Sequence, residues 1–389
     1  MLNSNVTNIK QQDRRAKLIA MYFPQLHAIP ENDAWWGEGF TDWDNVKSSS
    51  PQYQGHYQPR VPLNRNYYDQ SLLGTLRWQI DLAKLHGIYG FCQYHYWFDG
   101  KQLLETPTHV LMENRDINFP FCLSWANETW TRRWDGRNHH VLIQQTHPPV
   151  RESWKRHYDY LIKVWTDPRA IKVDGKPVFV IYRPQRIHRI DEMLAFWREL
   201  ARQDGLPGLY FIFQKQFELP DRRCISSFDA LFQFQPFEAI NSPTYAKNRV
   251  RRSLLFALIH RLPERYQDVL RDVRARFVNK LTLHDFDAAW KQAVEIRPDQ
   301  SLTTFPGAFA DWDNTPRYKN RATIFRGASP EGFGKWLARL VDGMPQRNLP
   351  EDFIFLNAWN EWAEGAYLEP DERYGYRYLE VVKQVMDRG

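Results

Sequence analysis

The 389-residue sequence has few cysteines and no long apolar run. Its three cysteines, Cys92, Cys122 and Cys224, form no CxxC pair, and the first two lie in apolar strand-like stretches. Reduced core thiols are therefore expected, rather than a disulfide framework or a zinc site. No run of about eighteen apolar residues could cross a membrane. Residues 1–17, interpreted as an N-terminal extension, lack the apolar region of a signal peptide, so the expected localisation is cytoplasmic.

Aromatic and basic residues are abundant. Aromatics make up 15% of the sequence and include 16 tryptophans, more than a core requires, which favours flat ligands such as sugar rings. The net charge of +6 favours acidic partners, and part of the excess lies between residues 247 and 280, at Arg249, Arg251, Arg252, Arg261, Arg265, Arg271, Arg274 and Arg276. A solvated helical face is one interpretation of this basic segment. Contact with an anionic polysaccharide or a peripheral membrane surface is the other. No nucleic-acid partner is expected.

Eight short stretches rich in β-branched and aromatic residues alternate with helix-like stretches. They are LIAMYF, YGFCQYHYWF, FPFCLSWAN, KPVFVIYRP, GLYFIFQ, FDALFQFQPF, LTTFPGAFADW and DFIFLNAWN. This alternation is typical of βαβ units and predicts an α/β fold, a single (β/α)8 (TIM) barrel over residues 18–389. The longest interruption of this alternation, at about residues 239–299, is predicted to be a basic helical insertion between strands 6 and 7 rather than a separate domain.

Two acids follow the eighth strand. Glu361 and Glu364 stand three positions apart, so a helical turn would place them side by side. Functional groups of such barrels gather at the carboxyl ends of the strands. Two carboxyl groups about 5 to 5.5 Å apart are typical of retaining glycosidases. Capping of a helix N-terminus is the structural alternative, whereas Glu369 and Asp371, further along, are predicted to be surface residues.

Polar and aromatic residues that follow the other strands are candidate sugar contacts. Asn127 and Glu128 could bond vicinal hydroxyls, Trp125 and Trp130 could stack on a ring, and a satisfied loop network is the alternative. Arg132 and Arg133 could recognise an anionic group or pair with Asp135. Tyr94 and Tyr96 share one face of strand 2 and His95 the other, and the sequence does not decide which face is functional. The full set of predicted substrate-binding residues is His27, Trp36, Trp43, Tyr94, Tyr96, Trp125, Asn127, Glu128, Tyr182, Trp312, Asp313, Trp359 and Asn360.

Metal ligation is not indicated. His27 and His95 belong to no HxH or HxxxH pattern. D-x-D occurs at Asp42–Asp44 and at Asp311–Asp313, and nucleotide-sugar transferases hold a divalent metal with such a pair. No glycine-rich turn follows the first strand, however, as a nucleotide-binding domain would require. Neither a metal nor another cofactor is expected.

Several long blocks of the sequence resemble the WbsX family, also described as glycoside hydrolase family 99-like. These are YFPQLHAIPENDAWWGEGFTDWDNV, GHYQPRVPL, GIYGFCQYHYWFDGKQLLETP, PFCLSWANETWTRRWDG, GKPVFVIYRP, WDNTPR and NAWNEWAEGAYLEPD. The resemblance implies a (β/α)8 barrel that acts on a bacterial polysaccharide such as O-antigen. In the related endo-mannosidases the catalytic motif is E-W-x-E, which corresponds to Glu361, Trp362, Ala363 and Glu364.

By that similarity Glu361 would deprotonate the 2-hydroxyl of the sugar and Glu364 would protonate the leaving oxygen. Those mannosidases have histidine where this chain has Ala363, so specificity for α-mannosides is not implied. The predicted function is a glycoside hydrolase or transglycosylase. A glycosyltransferase of O-antigen or lipopolysaccharide biosynthesis is the first alternative, and a non-catalytic glycan-binding barrel is the second.

Overall fold

The structure, a computed structural model, describes residues 16–132, 137–216, 219–248, 281–298 and 302–388. Most of the basic segment of the predicted insertion, including all eight of its named arginines, lies outside the described residues, as do Arg133 and Asp135. The predictions made for them stay predictions.

Eight parallel strands form a closed ring. They are β1 (Lys17–Tyr22), β2 (Ile88–Phe98), β3 (Phe121–Trp125), β4 (Lys176–Ile181), β5 (Tyr210–Lys215), β6 (Ala230–Gln233), β7 (Thr303–Phe305 and Gly307–Phe309) and β8 (Phe353–Asn357). Each strand pairs in parallel with the next, and β8 closes the ring against β1. All eight predicted strands are present, and the predicted (β/α)8 barrel is confirmed.

Pro306 divides β7 into two parts. The first part pairs with β6 and the second with β8. Proline has no backbone N–H to donate to a neighbouring strand, but the carbonyl of Pro306 still accepts from the N–H of Phe355 at 3.0 Å. The interruption therefore leaves the ring closed.

Helices cover the outside of the barrel and its loops. They are α1 (Pro30–Trp36), α2 (Asp42–Lys47), α3 (Leu73–Leu85), α4 (Thr106–Glu113), α5 (Arg151–Trp165), α6 (Ile190–Gln203), α7 (Arg222–Ile225), α8 (Phe237–Asn241), α9 (Pro243–Asn248), α10 (Phe286–Glu295), α11 (Thr315–Tyr318), α12 (Pro330–Asp342) and α13 (Arg377–Met386). The long helices bury one apolar stripe, as Met193, Leu194, Trp197 and Ala201 do on α6. None of the described helices has the length and apolar character that crossing a bilayer requires.

Short elements complete the loops. Additional strands are Lys101–Leu103, Trp130–Arg132, Arg137–Ile143, Lys172–Val173, Thr282–Asp285, Thr323–Arg326, Asn360–Glu361 and Ala366–Tyr367. The 3₁₀ helices are Leu63–Arg65, Pro184–Arg186, Lys319–Arg321, Pro345–Arg347 and Trp362–Glu364.

The described ends of the predicted insertion are mainly helical and also contain a strand. Helices α8 and α9 follow β6, and Thr282–Asp285 then pairs in parallel with Thr323–Arg326. The side chain of Asp285 accepts from the N–H of Ala288 and so caps α10. Trp290 of α10 stacks on Phe309 of β7, with ring centroids 4.9 Å apart. The end of the insertion is thereby packed on the barrel.

A separate aromatic cluster lies where the long β1–α3 connection meets the turn after β8. Its buried members are Leu26, Trp43, Val46, Tyr68, Trp362, Ala363 and Tyr367. The ring of Trp362 stacks on Tyr367 with centroids 3.8 Å apart and lies 5.4 Å from the ring of Trp43. This cluster holds the turn that carries both glutamates against helix α2.

Candidate active site

The turn after β8 presents the two glutamates. Asn360–Glu361 pairs antiparallel with Ala366–Tyr367, and the 3₁₀ helix Trp362–Glu364 lies between them. Side chains three residues apart eclipse one another in a 3₁₀ helix, so Glu361, immediately before it, and Glu364, its last residue, fall on one side. Gly365 ends the turn at a φ of 63°.

One guanidinium contacts both glutamates. Arg317, on α11, donates from Nη1 to Oε1 of Glu364 at 2.6 Å and from Nη2 to Oε2 of Glu361 at 3.3 Å. The same Nη2 donates to Oδ2 of Asp42 at 2.6 Å. Segments distant in sequence, from α2, α11 and the β8 turn, therefore meet at one cation.

This group of Asp42, Arg317, Glu361 and Glu364, the Arg317 cluster, holds three carboxyl groups around a single arginine. The side chain of Asp42 is fully buried, that of Glu361 is 8% exposed and that of Glu364 is 20% exposed. Burial, and then the charge of Glu364, raises the pKa of Glu361 well above its usual value despite Arg317. Burial also raises the pKa of Glu364, against the opposing charge of Arg317. The cluster therefore binds a proton more readily than isolated carboxylates would.

Tyr94 and Tyr96 of β2 face these acids. Burial raises the pKa of each phenol well above its usual value, and the charge of Glu361 is the next cause for both. His95 points the opposite way, where its Nε2 lies 2.9 Å from Nε2 of His157 on α5. The tyrosines therefore face the acids and the histidine packs under the helices, and the role of Tyr94 and Tyr96 in sugar binding stays a prediction.

Tyr182 and Glu128 lie on the β4 side of the barrel mouth. The hydroxyl of Tyr182 donates to Gln216 at 3.3 Å. Burial, followed by the charge of Glu128, raises the pKa of Tyr182, and Glu364 contributes in the same direction. Glu128 itself pairs with Nε of Arg183 at 3.2 Å. Both of these predicted sugar contacts therefore lie beside the barrel mouth.

The amides of Asn127 and Asn360 brace the backbone. Asn360 accepts from the N–H of Phe23 at 2.8 Å and donates to its carbonyl at 2.9 Å. Asn127 forms the same kind of clamp on Arg183, at 2.8 and 2.9 Å. Both residues are fully buried. Their side chains position the ends of β1 and β4, as the alternative of a satisfied loop network describes for Asn127, and substrate contact by either residue stays a prediction.

Four predicted stacking tryptophans are also buried, namely Trp43, Trp125, Trp312 and Trp359. The indole of Trp125 lies toward the helices, 4.6 Å from the ring of His157, and Nε1 of Trp43 donates to the carbonyl of Tyr68 at 2.9 Å. The prediction that these four rings contact a substrate stays a prediction. In this structure the four rings pack as part of the protein framework.

Partly exposed aromatic rings at the mouth come instead from α1 and the β3 loop. Trp36 is half-buried, and the guanidinium of Arg132 lies 4.8 Å from the centre of its ring. Arg132 also donates to the carbonyl of Trp35. Trp130 packs edge-on against Tyr96, with centroids 5.0 Å apart. Of the predicted tryptophan contacts, Trp36 keeps an accessible surface.

His27 is buried beside this region. It is 3% exposed, and neither ring nitrogen has a hydrogen-bond partner within the described residues. Burial lowers the pKa of its imidazole, although Asp69 opposes this shift. The ring is therefore neutral at physiological pH.

A second acidic group adjoins the turn. Oδ2 of Asp313 accepts from Nε2 of Gln58 at 2.7 Å and lies 2.8 Å from Nε2 of His56, while Arg60 donates to Asp311 at 2.7 Å. We call these five residues the Asp313 cluster. The predicted sugar contact Asp313 is 1% exposed and has no free face.

The carboxylates of both D-x-D patterns already bind other groups of the protein. Asp311 and Asp313 belong to the Asp313 cluster, Asp42 binds Arg317, and Asp44 accepts from the N–H of Thr41 at 2.9 Å as part of a capping box. Across the described residues no three His, Cys, Asp or Glu side chains are grouped to hold a metal ion.

Glu369 and Asp371 are buried, so the prediction that they lie on the surface is wrong. Each is 2% exposed. Glu369 accepts from Tyr68, Gln79 and Nε1 of Trp362 at 2.6 to 2.7 Å. Burial raises the pKa of Glu369 to about 7 despite these donors. The polar residues after the turn suggested solvent exposure, whereas the chain folds back beneath the barrel mouth and buries these two acids.

Arg317 and Arg60 are the site residues that sequence reasoning missed. Both lie within the blocks WDNTPR and GHYQPRVPL that carry the family resemblance. For Arg317 the signal was its position just after the D-x-D pattern of Asp311–Asp313, but its partners Asp42 and Glu364 are 275 and 47 residues away. Spacing along the chain could not connect them.

Solved structures share this fold. A glycoside hydrolase-like protein superposes with a TM-score of 0.60 at 13% identity, over 96% of this chain and 94% of its own. The GH99 endo-α-mannosidase from Bacteroides thetaiotaomicron, in complex with bis-tris-propane, superposes with a TM-score of 0.53 at 12% identity, over 95% of this chain and 96% of its own. At such identities the likeness shows the barrel fold.

Sequence relatives are closer. Uncharacterized protein WxcX from Xanthomonas campestris pv. campestris is 38% identical in two strains over 378 residues, or 96% of this chain. The chain spans about half the length of these curated relatives. The family model described as glycosyltransferase WbsX matches residues 18–382. The chain therefore belongs to the WbsX family.

Proposed function

We propose that this protein is a glycoside hydrolase or transglycosylase that acts on glycosidic bonds of a bacterial polysaccharide such as O-antigen. Glu361 and Glu364 are its catalytic carboxyl groups. The observation that carries the proposal is the contact of Arg317 with both glutamates at the carboxyl end of β8, where barrels of this class place their functional groups.

The chemistry needs one protonated and one ionised carboxyl group. A protonated acid delivers its proton to the leaving oxygen, while a carboxylate acts as nucleophile or removes a proton from a hydroxyl group. A buried pair of acids supplies both states, because two adjacent anions repel and burial disfavours charge. Both glutamates have a raised pKa for these reasons.

The sugar that occupies the site is left open by residue 363. Ala363 is fully buried in the aromatic cluster and presents only a methyl group. The fold shared with a GH99 endo-α-mannosidase supports glycosidic chemistry, but it does not extend to mannose. Tyr94, Tyr96, Tyr182, Glu128 and Trp36 are the polar and aromatic groups we propose for sugar binding.

A glycosyltransferase is the second candidate, and the description of the family as glycosyltransferase WbsX favours it. A nucleotide-sugar enzyme that used either D-x-D pair would have to displace existing partners, namely Arg60 and His56 at one pair and Arg317 and Thr41 at the other. The geometry therefore favours the hydrolase.

The test uses purified O-antigen polysaccharides and compares wild type with Glu361→Gln and Glu364→Gln. We expect the wild type to release new reducing ends and each variant to lose at least about 100-fold in rate, with polysaccharide binding retained. Glu372→Gln is the control and should leave the rate unchanged, because Glu372 is an exposed acid outside the proposed sugar-binding residues.

Undiminished cleavage in both variants would overturn the assignment. Calorimetry with nucleotide sugars separates the alternatives, since measurable binding together with glycosyl transfer would establish the glycosyltransferase. Binding of polysaccharide with no chemistry in any form would establish a glycan-binding barrel.

A further inference from the structure

We propose that Arg317 is a positioning residue that decides which glutamate is ionised before substrate binds, with Glu364 as the carboxylate and Glu361 as the acid. The inference concerns the resting protein, and its consequence for catalysis rests on the proposed function.

The first argument is the unequal geometry of the two contacts. Nη1 of Arg317 lies 2.6 Å from Glu364, whereas Nη2 lies 3.3 Å from Glu361 and already donates to Asp42 at 2.6 Å. Charge-assisted bonds of this kind are shorter and stronger when the acceptor is ionised. Glu364 therefore receives the better share of the positive charge.

The second argument is solvation. The side chain of Glu364 is 20% exposed and that of Glu361 is 8% exposed, so water can assist the charge on Glu364 more easily. Asp42 is fully buried and lies 2.6 Å from Arg317, with a second donor from Asn45 at 2.8 Å. The single guanidinium of Arg317 can therefore neutralise one of the three negative charges that these carboxyl groups could carry.

The third argument is the charge of the surroundings. The groups that face the pair are Tyr94 and Tyr96 from β2, Tyr182 from β4, Asp42 from α2 and Arg317 from α11. The phenols are neutral, since burial raises each pKa. Arg317 is the sole cation of this set, so keeping the proton on Glu361 avoids a second uncompensated anion.

With the proton on Glu361 and the charge on Glu364, the resting state is the reverse of the roles that the family resemblance implies. For Glu361 to accept a proton from a sugar hydroxyl and Glu364 to donate one, the proton must pass from Glu361 to Glu364 when substrate is bound. The hydrogen bond from Arg317 to Glu364 would then have to break. The arginine is therefore the group through which a bound sugar can control the pair.

The experiment is carbon-13 NMR of the full chain with glutamate labelled at Cδ, without substrate, with signals assigned by their loss in Glu361→Gln and Glu364→Gln. At neutral pH we expect the Glu364 carbon at the shift of a carboxylate and the Glu361 carbon at that of an acid. In Arg317→Met, the titration of Glu364 should move upward by about 1 to 3 pH units, with a smaller move in Arg317→Lys.

Arg326→Met is the control, because Arg326 is exposed and should leave both titrations unchanged. The proposal is overturned if wild type shows Glu361 ionised and Glu364 protonated, or both in the same state. Unchanged titrations in Arg317→Lys and Arg317→Met would also overturn it. If Arg317→Met does not fold, the wild type and the lysine variant still decide. Because no substrate is used, a failure to cleave polysaccharide would count against the proposed function alone.

Discussion

The Arg317 and Asp313 clusters lie side by side and each combines carboxyl groups with one arginine, but their charges balance differently. Asp313 accepts from His56, Gln58 and both the N–H and the hydroxyl of Thr315. Burial raises the pKa of Asp313, yet these bonds and the charge of Arg60 outweigh it and lower that pKa to about 2. In the Arg317 cluster, three carboxyl groups share one arginine and the pKa of each glutamate is raised.

The contrast teaches what separates a structural acid from a reactive one. A carboxylate surrounded by donors is locked in its ionised form and cannot exchange a proton near neutral pH. An acid short of donors keeps a proton available. The two clusters touch, since the N–H of Asp313 donates to the carbonyl of Glu364 at 2.7 Å, so the Asp313 cluster supports the turn that carries Glu364.

The largest expected effect is on the free energy of unfolding, which a substitution in the Asp313 cluster should lower far more than one in the Arg317 cluster. Asp313→Asn places an amide NH₂ against the donors of Gln58 and His56 and leaves Arg60 undercompensated. We expect a loss of about 3–5 kcal/mol in the free energy of unfolding, as for a broken buried ion pair. Glu361→Gln replaces an acid that burial keeps protonated with a neutral amide of similar size, and should lose little or nothing. Urea unfolding followed by tryptophan fluorescence measures both, and equal losses would contradict the comparison.

Glu369, a buried acid outside both clusters, allows a test of pH dependence. The pKa of Glu369 rises from its usual 4.5 to about 7 on folding. Its contribution is therefore fully present below pH 4.5 and is lost as the pH rises through 7, which amounts to about 3 kcal/mol at about 1.4 kcal/mol per pKa unit. Glu369→Gln should flatten this loss across that window.

The exposed Glu372→Gln serves as the control for the Glu369 measurement. Thermal or urea unfolding between acidic and mildly basic pH gives the two profiles. A wild-type profile as flat as that of Glu369→Gln would show that Glu369 is ionised throughout, held by its three donors.

The smallest effect concerns the glycine that joins the clusters. A Cβ on Gly365 would lie 2.9 Å from the nitrogen of Asp313 and 3.0 Å from Cζ of Arg60, at a left-handed φ of 63°. We expect Gly365→Ala to cost about 1–3 kcal/mol and to lower activity by shifting Glu364. Gly375→Ala is the matched control, since Gly375 has a φ of 54° with nothing within 4 Å of the added Cβ. Equal losses in unfolding free energy would mean that the contact with the Asp313 cluster is unimportant.

Much of the fold could be predicted from the sequence, because strand and helix patterns are local. Eight strand patterns correspond to eight barrel strands, and the strand-8 position of Glu361 and Glu364 placed them at the mouth. Side-chain direction was less predictable. Trp125 ends β3 and Trp359 follows β8, yet both rings are buried in packed layers, because side-chain direction depends on neighbours that are remote in sequence.

The sequence by itself determined the order of strands and helices, the family of the chain and the spacing of its two glutamates. Tertiary structure alone decided which charges meet. Asp42 and Arg317 are 275 residues apart, and their contact arises only when barrel closure brings the loops after β1, β7 and β8 together. Electrostatic energy depends on distance in space and on burial, and neither is written in the local pattern of residues.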